Sequence, residues 1–262
     1  MSNRFSGKVA IVTGSSNGIG RATAFLFAQE GAKVTITGRN TQRLEETKHE
    51  ILKAGIPEQH VLAIATDLAT EKGQDKLINE TIKKFGRLDI LVNNAGALFH
   101  DAQGRNGIAQ DISVYDRTME INMRSVVTLT QKAKKYLIEA KGEILNVSSM
   151  AAGPQSVSVI YYAMSKAALD QFTRSAAIDL IQHGVRVNSV SPGVVATGAG
   201  EAMGMTPEME QKQLSVFSQY FNFVESHKDC IPCGSVGRPI DIAHIIAFLI
   251  VNCLLISLDK RL

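Results

Sequence analysis

The sequence predicts an α/β fold: one doubly wound domain spanning residues 1–262, in which a parallel sheet of six or seven strands is flanked by helices on both faces. Two observations predict it. Short β-branched runs alternate with longer segments of helical period, which argues for right-handed βαβ units and a sheet covered on both sides. Nothing repeats at a fixed period and no Pro/Ser-rich linker divides the chain, so its 262 residues, 45% hydrophobic and 20% charged, suffice to bury one sizeable core.

Composition also narrows the function classes. Setting 28 Lys+Arg against 25 Asp+Glu leaves a formal net charge of +3. The basic clusters at Lys83 and Lys84, and at Lys132, Lys134 and Lys135, read as solvated helix faces, so no nucleic-acid partner is expected. Three cysteines make no disulfide framework, and the first apolar run is interrupted at Gly14 before it could serve as a signal h-region. The expected location is cytoplasmic.

The first strand (residues 9–12) runs straight into TGSSNGIG and a helix over 18–30. Gly14, Gly18 and Gly20 stand at the helix mouth, where the absence of Cβ atoms permits a tight turn and lets backbone N–H groups approach a pyrophosphate. Strand, turn and helix in the N-terminal unit point to dinucleotide binding. The second strand (34–37) ends in Thr37, Gly38 and Arg39, before a helix over 41–54. An NAD site commonly places a carboxylate there to accept a hydrogen bond from the ribose 2′-OH, but none appears before Glu45. A guanidinium at Arg39 can pair with a 2′-phosphate, which favours NADP(H) over NAD(H); the plainer reading is a solvated residue at a helix start. The third strand (61–65) leads to Asp67, which can bond the adenine amino group or simply cap the helix over 71–85.

The fourth strand (90–92) is followed by NNAG and a helix over 112–140. Its Asn122 is a polar residue in an apolar stretch and needs partners, either backbone or an ordered water bridging to Lys166. The fifth strand (144–147) closes on Ser148 and Ser149, at the sheet edge where open α/β folds bind ligands. Thirteen residues beyond Ser149, Tyr162 stands on a helix over 160–182, with Lys166 on the same face one turn later. A free phenol titrates near pKa 10, roughly, and a nearby ammonium with an oxidised nicotinamide would favour the phenolate that acid/base work requires. Tyr161 has Ser165 at that spacing and cannot take the role. A Ser149 hydroxyl can donate to a carbonyl oxygen while Tyr162 delivers its proton. After the sixth strand (185–190), residues 198–237 form a long connection to a helix over 239–250. Its Met203, Met205, Met209, Phe217, Tyr220, Phe221 and Phe223 can cover a small molecule, or can serve ordinary packing.

In their joint order, TGSSNGIG (13–20), NNAG (93–96), Asn122, Ser149, Tyr162 with Lys166, and SPG followed by Thr197 (191–197) resemble the short-chain dehydrogenase/reductase family over residues 5–250. The stretches GRLDILVNNAG and SKAALDQFTRSAAIDLI are similar to carbonyl-reductase-like members, including tropinone-reductase-like and glucose-dehydrogenase-like proteins. The resemblance implies a single Rossmann domain in which Ser149 polarises the substrate oxygen and Tyr162 is proton donor or acceptor. It implies that Lys166 binds the nicotinamide ribose and tunes Tyr162, and that Asn122 completes a water relay. Implied cofactor contacts are Gly14, Ser16, Asn17, Gly18, Ile19 and Gly20 in the first turn, then Arg39, Asp67 and Leu68 towards the adenosine. Asn93, Asn94, Ala95 and Gly96 would border the ribose. Pro192, Gly193, Val195 and Thr197 would form a wall for the nicotinamide, which Tyr162 and Lys166 also touch.

The C-terminus departs from the family pattern. Members usually continue into a seventh strand reading roughly Y-I-x-G-x, then apolar residues, then D-G-G; here VNCLLISLDKRL stands in its place. The expectation is a homodimer or homotetramer weakened by this tail, with residues 254–258 as a makeshift strand. The apolar run over 245–258 falls short of the roughly 20 residues that span a bilayer, so a buried helix is expected rather than an anchor, despite Lys260 and Arg261. Cys230 and Cys233, with His227 alone nearby, lack the ligands of a closed zinc site, and no metal is expected. His100 and Asp101 can rim a substrate pocket or belong to a solvated loop.

These residues together lead to an NADP(H)-dependent oxidoreductase moving a hydride between nicotinamide and the carbonyl or secondary alcohol of a small, partly apolar substrate. Specificity would reside in 98–110, 150–160 and 198–237. Two alternatives stand beside it: a dinucleotide-binding protein with little or no turnover because of the altered C-terminus, and a peripheral membrane form tethered by the terminal apolar segment.

Overall fold

The computed structural model describes residues 3–153, 159–197 and 237–251. Six strands, β1 (Val9–Val12), β2 (Lys33–Gly38), β3 (Val61–Ala65), β4 (Ile90–Asn93), β5 (Glu143–Val147) and β6 (Arg186–Val190), lie parallel in the order β3-β2-β1-β4-β5-β6. The pleat sends successive side chains to opposite faces. Ala10 and Val12 join one core with Ile90 and Val92, while Ile11 and Leu91 join the other. Helices α1 (Gly18–Gln29) and α2 (Thr41–Lys53) cover the first face through Ala24, Phe27, Leu44 and Ile51. Leu77, Leu129, Leu137 and Leu180, from α3 (Glu71–Phe85), α5 (Ser125–Ala140) and α6 (Ile160–Ile181), cover the second. A last helix, α7 (Pro239–Val251), returns to the first face through Ala243, Ile246 and Ile250.

Strand order reverses between β1 and β4, so the connections leaving their C-terminal ends part to opposite sides and open a crevice. The expected elements are present, with one correction. The helix expected over 112–140 is divided into α4 (Ile112–Met119), a π turn at Glu120–Arg124, and α5. The π turn carries Asn122, fully buried, to a position where its amide bonds the backbone of Ala97 in both directions, a local departure of the kind often found at functional sites. Residues 198–236 and 252–262 lie outside the described residues, and with them the covering insertion, the Cys230–Cys233 pair with His227, and the terminal strand considered above. Among the described residues no helix is long and apolar enough to cross a membrane.

Charged side chains lace the opposite, N-terminal edge of the sheet. The buried Asp89 carboxylate accepts from Val9 N (2.9 Å) and Arg87 Nη2 (2.6 Å), while its carbonyl accepts from Glu143 N (2.8 Å). Glu143 Oε1 pairs with Arg186 Nη2 at 2.8 Å, and the same guanidinium donates to the carbonyls of Leu249 and Ile250, pinning the end of α7 under β5 and β6. Burial pushes the Glu143 carboxyl up to about 7 against the pull of Arg186, and Oε2 is buried without a hydrogen-bond partner.

A carboxyl raised from its unfolded value near 4.3 to about 7 costs stability progressively as pH rises across that interval. Glu143→Gln should therefore match the parent in urea unfolding near pH 5 and exceed it by roughly 1–2 kcal/mol near pH 8, after discounting for partial solvent screening. A variant that loses ground to the parent as pH rises would contradict this.

Candidate active site

The C-terminal ends of β1 and β4 enclose a cleft of about 780 Å³, within the size range of small-molecule and cofactor pockets. The turn after β1 forms one end. Gly14 has φ +63°, and a Cβ on Gly20 would lie 2.3 Å from Gly14 O and 2.5 Å from Asn94 Nδ2, distances that no side chain survives. Asn94 Nδ2 donates to Thr13 O (2.8 Å) and Gly14 O (3.1 Å). Thr13 Oγ1 accepts from Asn94 N and Ala95 N, each at 2.9 Å. The two turns are thereby fastened together. Asn17 caps α1, its side-chain oxygen accepting from Gly18 N at 2.8 Å. A glycine turn at the positive end of a 12-residue helix fits the diphosphate of a dinucleotide: Gly14, Gly18 and Gly20 carry no Cβ to crowd it, and the helix dipole favours an anion. Gly14, Ser16, Asn17, Gly18 and Ile19 all line the cleft.

The adenosine side is formed by the ends of β2 and β3. Ser16 Oγ lies 2.9 Å from where a Cβ of Gly38 would stand, so the glycine turn touches the end of β2. Arg39, which is exposed, lines the same cleft with Asn40 and Arg43. Asn40 caps α2 by accepting from Arg43 N at 3.0 Å, which places Arg43 one turn above Arg39. Asp67 and Leu68 line the far edge. The capping role considered for Asp67 is corrected: Thr70 caps α3, accepting from Gly73 N at 3.0 Å, whereas Asp67 Oδ1 turns back to Ala69 N. Asn94, Ala95 and Gly96 face the cleft, but Asn93 does not. Its amide donates to Asn146 Oδ1 (2.8 Å), whose own amide donates to Thr173 Oγ1 (2.9 Å), a buried chain tying β4 and β5 to α6.

At the other end Ser149, Tyr162 and Lys166 come together. Ser149 follows β5 and caps a single 3₁₀ turn at Met150–Ala152 by accepting from Ala151 N. Tyr162 and Ser149 line the same cleft, while Tyr161 is buried edge-on against Tyr115, 5.5 Å between ring centroids. Lys166 is buried; its Nζ donates to Val147 O at 2.8 Å and stands 5.7 Å from the Tyr162 ring centroid. Burial presses the Lys166 ammonium down to about 8, with Asp170 pulling the other way. Burial raises the Tyr162 pKa, and the neighbouring Ser149 hydroxyl only partly offsets this. Removing water disfavours the phenolate more than its neighbours favour it. Asn122 donates to Ala97 O (2.8 Å) and Ser165 Oγ (3.1 Å) and accepts from Ala97 N (2.8 Å), so both amide hydrogens are bound within the protein. A Cβ on Gly96 would meet Asn122 Oδ1 at 3.1 Å and Lys166 Nζ at 3.4 Å, which accounts for that glycine.

Pro192, Gly193, Val195 and Thr197 line the opposite wall, held by Met150 N donating to Pro192 O and by a parallel bridge between Val195 and Gly237. Asp101 does not rim the cleft. Its carboxylate is buried, accepts from Asp111 N (2.6 Å), Gln103 N (2.7 Å) and Arg105 Nη2 (2.8 Å), and is held down to about 2 by these donors, Arg105 foremost. It shapes the loop over 98–111, of which Leu98 reaches the cleft; His100 is exposed. Sequence reasoning missed Arg43, although its spacing from Arg39 could have revealed it. It also missed the Thr13 hydroxyl and the Asn93–Asn146–Thr173 chain, which only the sheet register brings together.

Residues 8–207 match the family described as short chain dehydrogenase. The chain is 55% identical to a Caenorhabditis elegans short-chain dehydrogenase/reductase of unknown function solved with cofactor, at a TM-score of 0.88, covering 95% of this chain and 89% of that one. It is 50% identical to the apo form of a glucose dehydrogenase from the same organism, at a TM-score of 0.78, covering 94% of this chain and 90% of that one. The 7alpha-hydroxysteroid dehydrogenase of Escherichia coli K12 is 34% identical over 247 residues, 94% of this chain and 88% of that protein.

The buried ammonium has a consequence for stability. A lysine lowered from about 10.4 in the unfolded chain to about 8 binds fewer protons folded than unfolded between those values, so the parent gains stability as pH rises through the interval. Lys166→Met lacks that gain. Its stability relative to the parent should be greatest below about pH 8 and fall by about 3 kcal/mol on approaching pH 10, as read by denaturant unfolding. A pH-independent difference would show that Lys166 is not buried as an ammonium.

Proposed function

The chain belongs to the short-chain dehydrogenase/reductase family, and on that premise we propose that it is an NADP(H)-dependent oxidoreductase acting on the carbonyl or secondary alcohol of a small substrate. The observation that carries this reading is that Ser149 and Tyr162, two hydroxyls from different elements, line the same cleft as the glycine turn, with the buried Lys166 beside the phenol ring. A bound nicotinamide dinucleotide supplies or accepts the hydride; everything else falls to side chains. Ser149 donates to the substrate oxygen and orients it. Tyr162 gives its phenolic proton when a carbonyl is reduced and takes one back when an alcohol is oxidised.

Burial keeps that phenol protonated at neutral pH, the state from which reduction proceeds. Lys166 remains mostly charged at neutral pH, anchors the end of β5 beneath Ser149, and places a cation beside the ring where negative charge develops. Asn122 holds Ala97 and, through Ser165, the first turn of α6, since Ser165 Oγ donates to Tyr162 O at 2.7 Å. Leu98, Ile121 and Val194 give the cleft apolar surface suited to a partly apolar substrate. The preference for NADP(H) rests on Arg39 and Arg43 lining the cleft beyond a β2 that ends in Gly38 without a carboxylate. Two guanidiniums match a 2′-phosphate in charge and geometry.

Tyr162→Phe should lower turnover by roughly two to four orders of magnitude while leaving the NADPH dissociation constant within about twofold of the parent. Retained turnover would remove Tyr162 from proton transfer. Arg39→Ala should weaken NADPH about tenfold more than NADH in equilibrium titrations; equal losses would mean that Arg39 does not read the 2′-phosphate.

A further inference from the structure

Arg21 lies on α1, one residue past the glycine turn, and points away from the sheet towards α2. Its Nη2 donates to Ser16 O at 2.7 Å and to Arg43 O at 3.5 Å, and its Nη1 donates to Glu50 Oε1 at 3.2 Å. Glu46 Oε2 stands 3.7 Å from Nη2. A single nitrogen, Nη2, thus bridges the backbone of the phosphate turn and the backbone of the first turn of α2, while Nη1 holds Glu50. The Glu46 and Glu50 side chains are each 50% exposed, so these pairs add little energy in water; what they fix is the direction of the guanidinium. Arg21 Nε is buried without a hydrogen-bond partner, a cost the fold accepts while the other nitrogens are engaged.

The two backbone segments that Nη2 joins are those that line the adenosine end of the cleft. Ser16 lies against Gly38, and Arg39, Asn40 and Arg43 follow directly. We propose that Arg21 is a positioning residue for cofactor selectivity: by bridging Ser16 O and Arg43 O it fixes the distance between the diphosphate-facing turn and the guanidiniums facing a ribose 2′-phosphate. This rests on the NADP(H) reading above. A rigid spacing matters more to a ligand held at both places than to one held only at the diphosphate. Loss of Arg21 therefore weakens NADPH binding more than NADH binding, without Arg21 contacting the phosphate. Lysine preserves the charge opposite Glu46 and Glu50, but its nitrogen ends one bond short of the Nη2 position that reaches both carbonyls while Nη1 holds Glu50.

The test is equilibrium titration of the parent, Arg21→Leu and Arg21→Lys with NADPH and NADH, read by the emission of the reduced nicotinamide, alongside thermal unfolding of each protein without ligand. The parent is expected to prefer NADPH. Both variants are expected to fold and to lose about tenfold of that preference, the size of a lost hydrogen bond to a charged group. Arg21→Lys keeping the full preference would show that charge alone suffices and overturn the bridging role. Arg21→Leu keeping it would overturn any role in selectivity. If Arg21→Leu fails to fold, Arg21→Lys decides alone. A parent without preference for NADPH would instead overturn the cofactor reading, and this inference with it.

Discussion

Everything in the cleft depends on how closely the turn after β1 approaches the end of β4. The approach leaves no room for a Cβ at Gly20, and the amide of Asn94 fills the remaining gap with two bonds to Thr13 O and Gly14 O. Once those turns are fixed, α1 must leave the sheet in one direction, its N-terminus facing the crevice. The register between β1 and β4 is fixed with them. From β4 the constraint passes through Asn93, Asn146 and Thr173 into α6, the helix that carries Tyr162 and Lys166. The glycine turn and the end that carries Tyr162 and Lys166 are therefore parts of one hydrogen-bonded frame, not two regions that happen to be adjacent.

Around Tyr162 and Lys166, burial acts on two groups in opposite directions. It moves the Lys166 ammonium down and the Tyr162 phenol up, so both neutral forms are favoured by the same exclusion of water. What keeps the two useful together is local structure. Lys166 is tied to Val147 O, Ser165 holds the backbone of Tyr162, and Asn122 binds Ala97 and Ser165 from the π turn. Environments that displace the titration of neighbouring groups in this manner are a common setting for general acid/base chemistry.

Most of the fold was legible in the sequence because strands buried on both faces leave β-branched runs that little else produces. The division of the helix over 112–140 was not, since a π turn has no periodicity of its own and is secured by one buried amide. At the site, Gly14, Gly18, Gly20, Ser149, Tyr162 and Lys166 were readable because their spacing is dictated locally by a turn or a helix face. Gly96 was readable only as part of a motif; its physical reason, the closeness of Asn122 and Lys166, needs three distant segments to meet. Asp67 shows how spacing can mislead. Thr70 stood three residues further on as the better cap.

The most direct test of the proposed chemistry uses NADPH deuterated at C4 of the nicotinamide, incubated with the protein and a panel of small ketones and aldehydes. Mass spectrometry of the products then follows the label. Hydride transfer guided by Ser149 and Tyr162 predicts deuterium on the carbinol carbon of at least one alcohol product. Stabilisation of the protein by NADPH with no labelled alcohol from any member of the panel would contradict it and leave a dinucleotide-binding protein without turnover.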